Sequence, residues 1–97
     1  MQKAVIYYRQ KKNENEDSSI RNLKKIVKHL ESITYKIYGV YIDIHEDQHQ
    51  LNELLNSPLK EIDILYTNHS FDDDFDNQLI KQLSKAEGFI VKYLDDL

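Results

Sequence analysis

The chain contains no cysteine, which excludes disulfides and thiolate chemistry and leaves nothing that argues for an oxidising compartment. No segment approaches the roughly 18 consecutive apolar residues of a membrane span, and the N-terminus carries no long hydrophobic stretch. A cytoplasmic location without membrane contact is therefore expected. Punctuation is sparse, with one proline and two glycines, and no internal repeat or low-complexity segment is present. The length of 97 residues is enough for one hydrophobic core and too little for two. The sequence is accordingly read as a single domain over residues 1–97, with no room for a separate nucleic-acid-reading module.

What is present is the composition of a globular fold, 40% hydrophobic and 31% charged, with Ile and Tyr supplying most of the bulk. The apolar run Ala4, Val5, Ile6, Tyr7, Tyr8 stops abruptly at Arg9, Lys11 and Lys12. That pattern predicts a buried central strand over residues 3–8 that delivers cations to its own end. Residues 10–17 are polar and lack apolar anchors, which predicts a mobile loop. Asp17, Ser18 and Ser19 are good N-cap residues, and after them Ile20, Leu23, Ile26, Val27, Leu30 and Ile33 recur at helical spacing. The opposite face of this helix carries Arg21, Lys24, Lys25 and Lys28.

Residues 36–44 are rich in Tyr, Ile and Val and predict a second strand ending near Asp43, with Gly39 marking its start or a bulge. Leu51, Leu54 and Leu55 give a short helix that Ser57 and Pro58 close, because the residue before proline disfavours the helical region. Residues 62–66 read as a third strand covered on both faces. After a loop over residues 67–74, Phe75, Leu79, Ile80 and Leu83 form the inward stripe of a helix over roughly 75–86, which Gly88 stops. Residues 89–94 complete the set as a fourth strand. Strands alternating with crossover helices imply an α/β fold with a mainly parallel four-stranded sheet and helices on both faces.

Charge is unevenly distributed. Residues 1–36 hold nine Lys and Arg against four Asp and Glu, whereas residues 37–97 hold four against thirteen. A chain polarised in this way can present a basic and an acidic face to different partners, although solvated surface charge is the ordinary explanation.

The order of Ala4-Val5-Ile6-Tyr7-Tyr8-Arg9, Ser19 and Ile20 opening a helix, Gly39-Val40-Tyr41-Ile42-Asp43, Leu51 with Leu54 and Leu55, and Ile62-Asp63-Ile64-Leu65-Tyr66 resembles the N-terminal catalytic domain of the serine recombinases, the resolvase/invertase family. The likeness runs from residue 3 to about residue 95. It implies a flavodoxin-like, three-layer sandwich with strand order 2-1-3-4. It also implies where catalysis would sit, and there the sequence departs from the family. The family's nucleophilic serine lies two residues after the arginine that ends the first strand, and this chain has Lys11 there. An ammonium cannot form the phosphoserine link. The Asp-Arg-Leu-Ser-Arg box after strand three falls on His69, Ser70, Phe71, Asp72 and Asp73, so two cations become a hydroxyl and a carboxylate. The Gly- and Ser-containing loop after strand two matches Ile44, His45, Glu46 and Asp47, and the arginine before the Leu-x-x-Leu helix matches Gln48. Arg9 alone is retained. A phosphodiester site that exchanges its arginines for carboxylates repels its substrate, so loss of recombinase chemistry is expected. The family's long dimerisation helix and DNA-binding domain are also expected to be missing.

Three constellations remain. Arg9, Lys11 and Lys12, with Arg21, Lys24, Lys25 and Lys28, form a candidate anion or nucleic-acid site at the strand ends where open α/β sheets bind ligands. Asp43, His45, Glu46, Asp47 and His49 could meet His69, Asp72, Asp73, Asp74 and Asp76 around a divalent metal, but no fixed ligand spacing is present, so neither a metal nor a cofactor is expected. The last strand should be an apolar sheet edge, which makes Phe71, Phe75, Phe89, Val91 and Tyr93 the candidate interface, for a partner protein or a homodimer. Asp95 and Asp96 with Lys92 are the candidate guards of that edge. The seven tyrosines are assigned to packing, because a helix-covered sheet has no open stacking platform. The favoured function is a non-catalytic regulatory or adaptor protein of a phage or other mobile element. A small nucleic-acid-binding protein is the first alternative, and a divergent metal-dependent phosphohydrolase the second.

Overall fold

A strand with five consecutive buried residues must lie inside the sheet, and β1 (Gln2–Arg9) does. Every residue of β1 from position 4 to 8 is buried. The computed structural model describes residues 2–33, 35–45, 47–68 and 74–93. After β1 come α1 (Glu16–Ser32), β2 (Tyr35–Asp43), α2 (His49–Leu55), a 3-10 turn (Leu59–Glu61), β3 (Ile64–Thr67), α3 (Asp74–Glu87) and β4 (Ile90–Tyr93). All three strand pairings are parallel and the order is β2-β1-β3-β4. Fold class and strand order match the expectation from the sequence.

Alternation along β1 divides the core in two. Val5 and Tyr7 point to the face carrying Leu51 and Leu54 of α2, Ile80 of α3, and Leu65. Ala4, Ile6 and Tyr8 point to the other face, against Leu23 and Leu30 of α1, with Ile64 and Tyr66 of β3 beside them. Burying a leucine such as Leu30 or Leu54 contributes roughly 1.5–3 kcal/mol, so one helix fastens one face and two fasten the other. The Tyr35 and Tyr66 rings meet edge to face with centroids 5.7 Å apart, as expected of tyrosines that pack.

The pairing of β1 with β2 slips by one residue, from Ala4 opposite Ile37 to Val5 opposite Gly39. Tyr38 is the extra residue, so the bulge reading of Gly39 holds. Because side chains alternate with period two, the slip reverses which β2 residues face which helix. Tyr35 and Ile37 pack on the α1 side, whereas beyond the bulge Tyr41 packs on the α2 side.

Several sequence expectations need correction. α1 is capped by Asn15, whose Oδ1 accepts from the Ser18 amide at 2.8 Å, and not by residues 17–19. Its first turn therefore carries Glu16 and Asp17, where carboxylates suit the positive end of the helix dipole. Ile20 and Ile33 were expected inside and are exposed: Ile20 lies off the buried stripe of Leu23 and Leu30, and Ile33 is the C-cap residue, where the chain leaves the helix. Phe75, also expected inside, is 73% exposed. Phe89, expected at the interface, is 3% exposed and belongs to the core on the α2 and α3 face. Gly88 sets that position. It ends α3 at φ +78°, its amide and that of Phe89 both bond the Ser84 carbonyl, at 2.9 and 3.2 Å, and the chain turns so that Phe89 inserts before β4 begins.

Candidate functional site

The C-terminal end of β1 is where the sequence places its cations, and the structure surrounds that end with two carboxylates. The first is Asp43, the last residue of β2 and opposite Arg9 in the sheet register. It is 2% exposed. Its Oδ2 accepts from the Tyr7 hydroxyl at 2.7 Å and from the Leu51 amide at 3.0 Å, while Oδ1 accepts from the Gln50 amide at 2.7 Å. Gln48 stands at the N-cap of α2 without a side-chain capping bond. Asp43 reaches across from the strand and caps the helix in its place, satisfying amides that α2 itself leaves open.

Tyr7 passes this anchorage on to Arg9. Nε and Nη2 of Arg9 donate to the Tyr7 hydroxyl oxygen at 3.0 and 2.8 Å, and the guanidinium lies 5.6 Å from the ring centroid. Burial, together with the hydrogen bond to Asp43, pushes the Tyr7 phenol well above its ordinary value despite the opposing pull of Arg9. Asn68, just past β3, clamps the Arg9 backbone from the other side: its Oδ1 accepts from the Arg9 amide at 2.8 Å, and its Nδ2 donates to the Arg9 carbonyl at 2.9 Å. The strand end is thereby fixed from both neighbouring strands.

Glu14 is the second carboxylate. It accepts from the Tyr8 hydroxyl in a short hydrogen bond, from the Lys11 amide at 2.9 Å and from Asn22 Nδ2 at 3.1 Å. The Glu14 amide returns a bond to the Lys11 carbonyl at 3.0 Å. The stretch expected to be a mobile loop thus contains a closed turn fastened by its own carboxylate. Burial pushes Glu14 upward, but the bonds from Tyr8, the Lys11 backbone, Asn22 and Ser19 outweigh it and hold the carboxyl below its ordinary value. Burial, reinforced by Glu14, raises Tyr8. Burial, followed by the hydrogen bond with Tyr35, pushes Tyr66 up to about 12.

The expected cationic cluster is divided. Lys11 and Lys12 line an open cleft of about 520 Å³ together with Tyr8, Glu14 and Asn22. Arg21, Lys24, Lys25 and Lys28 are exposed on α1, where Arg21 Nη2 reaches the Ser18 hydroxyl at 3.4 Å. Lys24 and Lys28 border a separate groove between α1 and β2. Arg9 is turned back onto Tyr7. No single patch gathers these seven residues.

Of the acidic and imidazole run, Asp43 is occupied as described. Asp47 Oδ1 accepts from the His49 amide at 3.1 Å, His45 is exposed, and Asp74 and Asp76 lie in α3. Glu46, His69, Ser70, Asp72 and Asp73 fall outside the described residues, as do Phe71, Asp95 and Asp96. Among the described residues no three His, Asp or Glu side chains gather as a metal site, and no helix is long and apolar enough to cross a membrane.

At the interface predicted for β4, Tyr93 is exposed and Val91 is partly buried against the core. Ile90, which the sequence reading passed over, is exposed beside them. The roles of Asp43 and Glu14 were also missed. Asp43 had a sequence signal, an acid ending an apolar strand just ahead of a helix that lacks a good N-cap residue.

No protein-family model matches the chain, and no curated protein matches it. Among solved structures, the chain is similar to the C-terminal catalytic domain of ISC1926 TnpA, an IS607-like serine recombinase, at 19% identity and a TM-score of 0.74. The match covers 95% of this chain and 69% of that one. The fold is thus that of a serine recombinase catalytic domain. In this neighbour the domain is C-terminal in its parent protein, so the fold does not dictate the N-terminal position that the sequence resemblance implied.

Proposed function

We propose that the protein is a non-catalytic, resolvase-like regulatory or adaptor protein of a phage or other mobile element, acting by protein contact. One observation carries the reading: at the C-terminal end of β1 the Arg9 guanidinium and the Lys11 amide are hydrogen-bonded within the chain, the first to the Tyr7 hydroxyl and the second to the Glu14 carboxylate. A phosphodiester needs cations and amides turned toward it. Here the Arg9 guanidinium is hydrogen-bonded to Tyr7, Tyr7 to Asp43, and the Lys11 amide to Glu14. The Glu14 carboxylate stands in the cleft beside Lys11 and Lys12, where a phosphate would meet like charge. The position two residues after Arg9, which in the resembling family carries the nucleophile, holds Lys11. That the structural neighbour is an IS607-like serine recombinase supports a mobile-element setting.

The test uses supercoiled plasmid DNA and a denaturing gel. Neither the unmodified protein nor Lys11→Ser should yield a covalent protein–DNA species or a nicked product, because the serine alone would face Glu14 without an available arginine clamp. A covalent adduct formed by the unmodified protein would overturn the proposal.

A further inference from the structure

α1 carries a dense group of charges of one sign. Arg21, Lys24, Lys25 and Lys28 are four of the thirteen Lys and Arg, they fall within eight consecutive residues, and all four are exposed. Positions 21 and 24, 21 and 25, 24 and 28, and 25 and 28 are three or four apart, so each pair has about 5–6 Å between Cβ atoms. The four side chains thus form a closed patch of cations on the side of α1 away from Leu23 and Leu30, which pack on the sheet. Like charges at these spacings repel and weaken the helix. Among the described residues, Lys24, Lys25 and Lys28 have no ion-pair partner, and Arg21 reaches only the Ser18 hydroxyl, at 3.4 Å. α3 differs, since its Lys81 and Lys85 share the helix with Asp74, Asp76 and Glu87.

We propose that this patch is the surface through which the protein binds its partner, and that the partner presents a short segment in which acidic residues alternate with apolar ones. The inference rests on the reading that the protein acts by protein contact, and it names the contact. An array of unpaired cations is complementary to carboxylates, and the planar fork of Arg21 suits them in particular.

Two features choose a protein segment over nucleic acid. The patch is bounded, with Asp17 one turn before Arg21 and Glu31 one turn after Lys28, both exposed, so the attractive surface covers about 10 Å of helix. A DNA duplex carries one charge per about 1.7 Å of its axis and would run on over both acids, whereas a short cluster of carboxylates ends where the patch ends. The second feature is what lies beside the cations. An open groove of about 330 Å³ between α1 and β2 has apolar walls, Val27, Val40 and Ile42 among them, and its charged residues are Lys24, Lys28 and Glu31. Two lysines against one glutamate leave its rim cationic. A phosphate backbone has no apolar group to place there, but a leucine next to a glutamate does.

The probe is a short fluorescent peptide of alternating glutamate and leucine, titrated with the full chain and followed by anisotropy, with oligoglutamate of equal charge and a DNA duplex as comparators. The peptide should bind more tightly than either, and its affinity should fall as salt rises. Replacing all four cations together, Arg21→Gln, Lys24→Gln, Lys25→Gln and Lys28→Gln, should weaken binding by about tenfold or more while the thermal midpoint holds or rises, because the repulsion among them is removed. A peptide that does not bind at low salt overturns the proposal, as does affinity indifferent to the four substitutions, equal binding of oligoglutamate or the duplex, or a fourfold variant that melts earlier. Salt-sensitive self-association abolished by the same substitutions also overturns it, by assigning the patch to the acidic residues of a second copy. The two readings fail separately: a covalent DNA adduct in the plasmid assay overturns the non-catalytic function whatever the peptide does, and a missing peptide complex without an adduct overturns this contact alone.

Discussion

Tyr7 and Tyr8 are adjacent in β1, point to opposite faces of the sheet, and each donates its hydroxyl to a carboxylate, but the two carboxylates do different things. Asp43 comes from 36 residues away, is shut inside, and ties β1 and β2 to the start of α2. Glu14 comes from six residues away, at the margin, and folds a local turn over the cleft. The same hydrogen-bonding chemistry is structural where water is excluded and conformational where water is near. The difference follows from desolvation: a buried donor left without its acceptor cannot recover a bond from solvent, whereas a peripheral one can.

The comparison breaks most plainly at Asp43. Asp43→Ala leaves the Tyr7 hydroxyl and the Gln50 and Leu51 amides without their acceptor, and it should cost about 3 kcal/mol of stability. In a chain of this size that lowers the thermal midpoint by at least about 12 °C. Urea denaturation measures it. A loss under about 1 kcal/mol would show that water or neighbouring groups replace the carboxylate and that Asp43 is no anchor.

Removing the two hydroxyls sharpens the contrast. Tyr7→Phe takes away the link between Arg9 and Asp43 and should cost about 1–2 kcal/mol, while Tyr8→Phe should cost about half as much, since Glu14 keeps its other donors and solvent. Differential scanning calorimetry of the pair decides the order. Equal losses would mean that burial does not set the two apart.

Much of this was legible in the sequence because burial writes itself locally. The run from Ala4 to Tyr8 has no polar break, and Leu23 and Leu30 keep a helical period, so β1, α1 and their contact could be read directly. The strand order came with the family resemblance. What was illegible depends on geometry that no local pattern carries. The bulge at Tyr38 changes the parity of β2, turning Val40 and Ile42 toward the α1 face. Gly88 turns the chain so that Phe89 goes in, while Phe75, on a different side of α3, stays out. The site fared similarly. The loss of the serine and arginines is visible residue by residue against the family pattern, but the partners of Arg9 are not, because Tyr7 joins it to an acid from a strand more than thirty residues distant.

The smallest expected effect, and the finest probe of the comparison, is the pH dependence of stability. The Glu14 carboxyl is held below its ordinary value in the folded chain. The unfolded chain therefore binds the proton more readily, and the contribution of Glu14 is fully present above the ordinary carboxylate value and lost as pH falls through the folded one. At neutral pH, Glu14→Gln should lower stability by about 0.5–1 kcal/mol, since a neutral amide accepts the Lys11 and Asn22 donors less strongly. That gap should narrow below pH 4.5, the carboxyl's ordinary value, because the unmodified side chain is then being neutralised too. At the alkaline end the signs reverse. Tyr7 and Tyr8 are raised, so the stability tied to their neutral forms is present below the ordinary phenol value of 10.0 and lost as pH climbs toward the folded values. Unfolding midpoints in urea measured from pH 3 to 11 for the unmodified protein and Glu14→Gln should converge at the acid end and stay apart near neutrality. A gap that widened on acidification would mean that Glu14 is held above its ordinary value by burial. The turn around Lys11 would then be closed by a protonated acid, and the negative charge assigned to the cleft would vanish with it.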